Sequence, residues 1–306
     1  MNGGGAEGVY VGQPGDLRGV RRFSHEAMAT VYEVYAVHDD RQYAAQAAHA
    51  SFDLVDRLER ELSRFLPNSD VTRINHLAAG ERTRVARSTL ECLAIARDMF
   101  DLTGGAFDVS IGTGLASLDL DPDDSTVHAT ASGVQIDLGG IGKGYAVDLM
   151  ADTLEEWDVP LSLAHGGFSS LLALDPPADR DGWPLTLSDP GDPSRVLAQM
   201  SVRQTALGAS GVRKRDHIVD PRTGAPVRGR RAAWVALNRP PAAPADAAES
   251  RPRMAAVADA LTTACMLMHV DDIDALCRNG DGVEAWILEE TGLLHFGERT
   301  ESRHGQ

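Results

Sequence analysis

Residues 136–148 read IDLGGIGKGYAVD, with four glycines and one lysine set between an apolar, alternating run and an amphipathic one. The alternation over residues 133–138, GVQIDL, predicts a strand, and the run from about Lys143 to Trp157 predicts a helix. Two readings fit the glycines between them. A strand that passes through glycines into a helix offers backbone N–H groups and a partly positive helix end, which suits a phosphate. Equally, glycine's tolerance of positive φ serves a tight strand-to-helix turn with no ligand. The stretch matches neither phosphate loop defined by spacing. Gly144 follows Lys143 where a P-loop has Ser or Thr, and Tyr145 stands where GxGxxG has its third glycine. A nucleoside triphosphatase and a dinucleotide-fold dehydrogenase are thereby disfavoured.

Outward from this stretch, three more helices are predicted. Over residues 44–65, Ala48, Phe52, Val55, Leu58 and Leu62 recur at three or four positions. A second opens at STLE, where Ser88 is placed to cap and Glu91 to reach back, and stops at TGG, residues 103–105. Another covers about 254–268. Besides 133–138, strands are predicted at 30–37, 170–174, 196–202, 232–237 and 284–288. Helices and strands do not alternate strictly, so the fold class is α+β, with mixed or antiparallel sheets flanked by helices. Residues 1–19 are expected to be flexible, 20–297 to form one domain with a solvated Pro/Ala-rich loop at about 239–253, and 298–306 to be a flexible tail.

Composition narrows the function. The formal charge of −16 argues against a nucleic-acid or anionic-membrane surface, so an anionic ligand must be met by local positive groups or a metal. Cys92, Cys265 and Cys277 form no CxxC pair and read as buried free thiols. The start, MNGGGAEGVYVGQPGDL, carries no signal-peptide pattern, and no apolar run approaches the roughly 18 residues of a membrane span. A cytoplasmic protein is expected. The acids of DLDPDD, residues 119–124, are spaced like a calcium loop, but the sixth position is Asp124 and the twelfth Thr130 where Gly and Glu belong.

Two further segments carry chemistry. In VADALTTACMLM, residues 257–268, Asp259 and Thr263 stand at i and i+4 on a mostly apolar helix. A hard cation such as Mg²⁺ would satisfy both oxygens; alternatively Asp259 caps or salt-bridges while Thr263 bonds back to its helix. In HIVDPRTGAPV, residues 217–227, His217 suits proton transfer or a structural hydrogen bond, and Asp220, Thr223 and Gly224 build a turn.

Taken in order, the segments resemble the ApbE family of flavin transferases, which move FMN from FAD to a threonine or serine of a target protein and need Mg²⁺. The resemblance spans about 27–288 and rests on ELSRFLPNSDVTRIN (61–75), TGGAFDVSIGTGL (103–115), DLGGIGKGYAVD (137–148), HGGFSSLLAL (165–174), SGVRKRDHIVDPRTG (210–224) and DALTT (259–263). It implies an ApbE-like, T-fold-related architecture. It implies that Asp259 and Thr263 ligate Mg²⁺ with the carbonyl of Gly142, and that His217, with Asp259, is catalytic, accepting the proton of the incoming hydroxyl. Around FAD it places Met28, Thr30, Phe65, Asp108, Gly139, Gly140, Lys143, Gly166, Gly167, Ser210, Gly211 and His217, with Phe65 stacking near the flavin. The expected partners are FAD, as substrate, and an acceptor protein bearing the Thr or Ser.

The chain departs from the family pattern in places. Ala29 replaces the glycine of MGT, Phe168 an acid or amide, and Ala209 the threonine of TSG. Five residues separate Gly211 from His217 where a longer connection is usual, and no lipobox is visible. Two other readings stay open: a Mg²⁺-dependent FAD pyrophosphatase giving FMN and AMP, and a non-catalytic FAD-binding protein.

Overall fold

A computed structural model describes residues 9–11, 17, 19–211, 218–239 and 253–297. His217, most of the 239–253 loop and the tail fall outside them. In chain order the structure runs β1 (Val9–Val11), β2 (Arg21–Ala27), β3 (Thr30–Ala36), α1 (Arg41–Leu62), α2 (Asp70–Ile74), β4 (Arg82–Arg84) and α3 (Arg87–Leu102). It continues through β5 (Leu118–Asp121), β6 (Thr126–Ala129), α4 (Gly142–Glu156), β7 (Ser162–Gly166), β8 (Ser170–Ala173), β9 (Trp183–Asp189) and β10 (Asp192–Val202). Then come β11 (Thr205–Gly211), β12 (Arg230–Asn238), α5 (Met254–Cys265), α6 (Val270–Asn279), β13 (Val283–Glu289) and β14 (Gly292–Phe296).

The central sheet has the order β14-β13-β12-β11-β8-β7-β3-β2, with every neighbouring pair antiparallel. The class is α+β. Alternation gives the sheet two apolar faces. Tyr32, Val34, Ala233 and Val235 join the core shared with the helices, while Tyr35, Ala232 and Trp234 point the other way. That second face is covered by the small sheet β1-β9-β10, through Trp183, Leu185 and Leu187. β1 lies in the segment expected to be flexible and pairs with β9.

Residues 133–138 form no strand. Val134, Ile136 and Leu138 are buried as the alternation requires, but the segment's backbone partners lie outside any sheet. Ile136 N donates to Asn75 Oδ1 at 2.6 Å, Asn75 Nδ2 donates to Ile136 O at 3.0 Å, and Gln135 N donates to Thr113 Oγ1 at 2.9 Å. The capping box at Ser88 is also absent. Ala86 is the N-cap of α3, Ser88 Oγ donates to Glu61, and Glu91 is held by Tyr145 and Arg253. The acids of DLDPDD build the β5–β6 turn, where Asp121 Oδ1 accepts from Asp123 N and Asp124 N at 3.0 Å each. All three cysteines are free and buried. Among the described residues no helix is long and apolar enough to cross a membrane.

The site depends on how α5 packs against α4 and against the sheet. Glycines allow both contacts: a Cβ on Gly144 would overlap the Ala255 carbonyl, and one on Gly208 of β11 would lie 2.5 Å from Ala258 O. Arg253, just before α5, pairs with Glu91 of α3 at 2.7 Å and with Asp152 of α4. These contacts fix the start of α5.

Candidate active site

The two helices cap each other. Asp148 of α4 is fully buried and accepts from Ala255 N at 3.0 Å and Ala256 N at 2.9 Å, supplying the acceptor that the start of α5 lacks. In return Asp259 Oδ2 of α5 accepts from Gly144 N, in the first turn of α4, at 3.0 Å. Burial pushes the Asp148 carboxyl up to about 7, against the opposing pull of its two N–H donors. The expectation of bare N–H groups in the glycine loop is therefore corrected in part. Gly139 N donates to Asp137 Oδ1, Ile141 N and Gly142 N donate to Leu138 O, and Gly144 N is taken by Asp259.

Beside this joint lies a pocket of about 410 Å³. Eight of the residues singled out above line it: Asp108, Gly139, Gly140, Lys143, Ser210, Gly211, Asp259 and Thr263. Asp259 is 3% exposed, and Lys143 Nζ stands 3.9 Å from its Oδ2 while donating to Gly139 O at 3.2 Å. Thr262 Oγ1 donates to Asp259 O at 2.7 Å, whereas Thr263 Oγ1 lies 3.5 Å from that carbonyl and 3.4 Å from Ser210 Oγ. Both hydroxyls therefore bond back to the helix, Thr262 by the shorter contact and Thr263 by a long one that leaves it in the pocket lining. Gly140 lets the loop close down here, since a Cβ on it would meet Phe107 at 3.3 Å and Thr263 Oγ1 at 3.5 Å. Asp108 lines the pocket with its carboxylate committed to its own loop, accepting from Ser110 N, Ser110 Oγ and Gly112 N.

Other expected residues gather elsewhere. Met28, Thr30, Gly166 and Gly167 meet at the β2–β3 turn: Tyr32 Oη donates to Met28 Sδ at 3.0 Å, Gly166 pairs with Tyr32, and Gly167 N donates to Val31 O at 3.0 Å against the Thr30 side chain. Phe65 is 80% exposed, under the Arg64 guanidinium, which pairs with Asp137 of the pocket wall at 3.0 Å. Gly142 is buried at the start of α4 and does not line the pocket. His217 lies outside the described residues, but Gly211 and Ile218, the described residues flanking its segment, both line the pocket.

The family model for ApbE matches residues 28–287. The chain belongs to the ApbE family. It is 24% identical to the FAD:protein FMN transferase of Vibrio cholerae over 258 residues, 71% of this chain and 76% of the relative. It is 25% identical to the protein of the same name from Treponema pallidum, across 91% of this chain and 87% of that one. Among solved structures, the ApbE protein from Thermotoga maritima superposes with a TM-score of 0.77 at 22% identity, over 90% of this chain and 97% of its own. The flavin transferase ApbE from Vibrio cholerae gives 0.75 at 19%, over 92% and 98%.

Within this ApbE fold, the sequence reading missed Asp148, Ser169 and Ile111. Asp148 sits one turn beyond Gly144, a spacing that could have marked it as facing the same neighbour. Ser169 lines the pocket, is 3% exposed, and its Oγ has no hydrogen-bond partner among the described residues. It follows Phe168, whose ring is turned edge-on to His165. Ile111 carried no signal beyond its place in TGGAFDVSIGTGL, residues 103–115.

Proposed function

We propose that this chain is a Mg²⁺-dependent FAD:protein FMN transferase that moves the FMN moiety of FAD onto a Thr or Ser hydroxyl and releases AMP. The observation that carries the reading is the convergence of Asp259, Thr263, Lys143 and Ser210 on one pocket, in a chain of the ApbE family whose relatives bear that enzyme name. The donor set fits Mg²⁺. Asp259 and Thr263 offer hard oxygens one helical turn apart on α5. When bound, Mg²⁺ supplies charge neutralisation across phosphate oxygens.

The chain's own groups supply the rest. Lys143 adds a positive charge next to Asp259, in an otherwise acidic protein. The acceptor's hydroxyl oxygen bonds to the flavin-side phosphorus, the bridging P–O bond breaks, and AMP leaves with that electron pair. His217 takes the hydroxyl proton, and the placement of Gly211 and Ile218 on the pocket supports this assignment. The test is incubation with FAD, Mg²⁺ and a panel of Thr- or Ser-bearing acceptor proteins. The expected result is flavin fluorescence that survives a denaturing gel, with one AMP per label. AMP released without an acceptor, and no label with any, would assign hydrolysis; FAD retained without AMP would assign binding alone.

A further inference from the structure

Ile111 has a φ of 49°, in the left-handed region where β-branched residues are seldom found because the side chain crowds the backbone. It is also 54% exposed and lines the pocket. Glycine or asparagine would take this backbone at less cost, and a polar side chain would suit water better. The chain has neither.

The surrounding loop enforces the conformation. The Asp108 carboxylate accepts from Ser110 N at 2.7 Å, Ser110 Oγ at 2.6 Å and Gly112 N at 2.8 Å. Ser110 Oγ in turn accepts from Leu115 N at 3.0 Å. Gly112, at φ 78°, lies against the Asp220 turn so closely that a Cβ would stand 2.8 Å from Pro221 O. Asp137 N donates to Val109 O at 2.8 Å, tying the loop to the entry of the glycine stretch. Backbone strain clusters at ligand-binding and catalytic sites, and of the seven non-glycine residues with positive φ among the described residues Ile111 is the one in the pocket lining. The same pocket is lined by apolar Val219 and Leu267 and by polar Lys143, Asp259 and Thr263.

We propose that Ile111 is a binding residue of this pocket, its side chain held outward by the left-handed turn as an apolar platform for a planar heteroaromatic ring of the bound dinucleotide. This rests on the FAD reading above. Isoalloxazine and adenine share the required chemistry, and the test separates them.

Ile111→Gly and Ile111→Asn both accept the backbone and remove the apolar branch, whereas Ile111→Val keeps it. In calorimetric titrations with Mg²⁺, the Gly and Asn variants are expected to bind FAD about fivefold more weakly, the loss of roughly half an isoleucine's contact, and Val to match the wild type. Their ligand-free melting temperatures should equal or exceed the wild-type value. Titrating FMN and AMP separately names the ring, since only the ligand that rests on Ile111 loses affinity. Unchanged FAD affinity in both variants, or lower ligand-free melting temperatures in both, would overturn the proposal. Wild-type protein that fails to bind FAD would instead remove the FAD reading and this proposal with it.

Discussion

At the scale of the residue, Asp259 carries two loads. It caps α4 through Gly144 N at 3.0 Å, and it is the charged group of the proposed Mg²⁺ site. Two substitutions separate them. Asp259→Asn keeps an acceptor for Gly144 N and loses the charge; Asp259→Ala loses both. AMP release should fall at least about 100-fold in each, while urea unfolding should show about 1 kcal/mol lost in the Ala variant and less in Asn. Equal turnover in Asn and wild type would show that the cap is the whole role of Asp259. Ala29 shows what the sequence could and could not convey. Its departure from MGT was visible in the letters, but not that Met28 and Ala29 stand at φ 48° and 57° in the two-residue turn between β2 and β3, where glycine is favoured. Ala29→Gly should stabilise the fold by up to about 1 kcal/mol in chemical denaturation, the relief of left-handed strain less the added freedom of the unfolded chain.

At the scale of the element, apolar patterning and boundary signals found α1, α3, α4 and α5 to within a few residues, because all four bury apolar residues in the shared core. They missed β7 and β11, whose SLAHG and TALGASG are rich in small residues that only close helix packing explains. They misread 133–138 because alternation reports burial, not who satisfies the backbone: Asn75, 61 residues away, does. The α4–α5 joint was invisible for the same reason, since its reciprocal caps cross more than a hundred residues of sequence. Asp148 gives the joint a pH signature. Its folded pKa of about 7 lies above the unfolded value near ~3.9, so the folded state holds a proton that the unfolded chain has released. Stability from this group is therefore fully present below about pH 4, declines as pH rises through the window, and levels off above about 7. Unfolding free energies measured from pH 4.5 to 8 should fall more steeply in the wild type than in Asp148→Asn, which cannot titrate. Parallel curves would show that the carboxyl is ionised throughout.

At the scale of the whole molecule, the eight-stranded antiparallel sheet holds β8 and β11 beside α5, and the loops around them form one pocket wall. The candidate site was legible because short motifs named its residues in order; their assembly was not, since Lys143, Ser210 and Thr263 come from α4, β11 and α5. A chain of net charge −16 that takes a pyrophosphate must offset that charge locally. In the proposed site a divalent ion held by Asp259 and Thr263 supplies that offset. The most direct measurement is a crystal grown with FAD and Mn²⁺ in place of Mg²⁺, read by anomalous scattering. The expected map shows a peak within roughly 2–2.3 Å of an Asp259 oxygen and Thr263 Oγ1, touching the FAD pyrophosphate. A peak elsewhere, or FAD bound with its phosphates away from Asp259, would contradict the account.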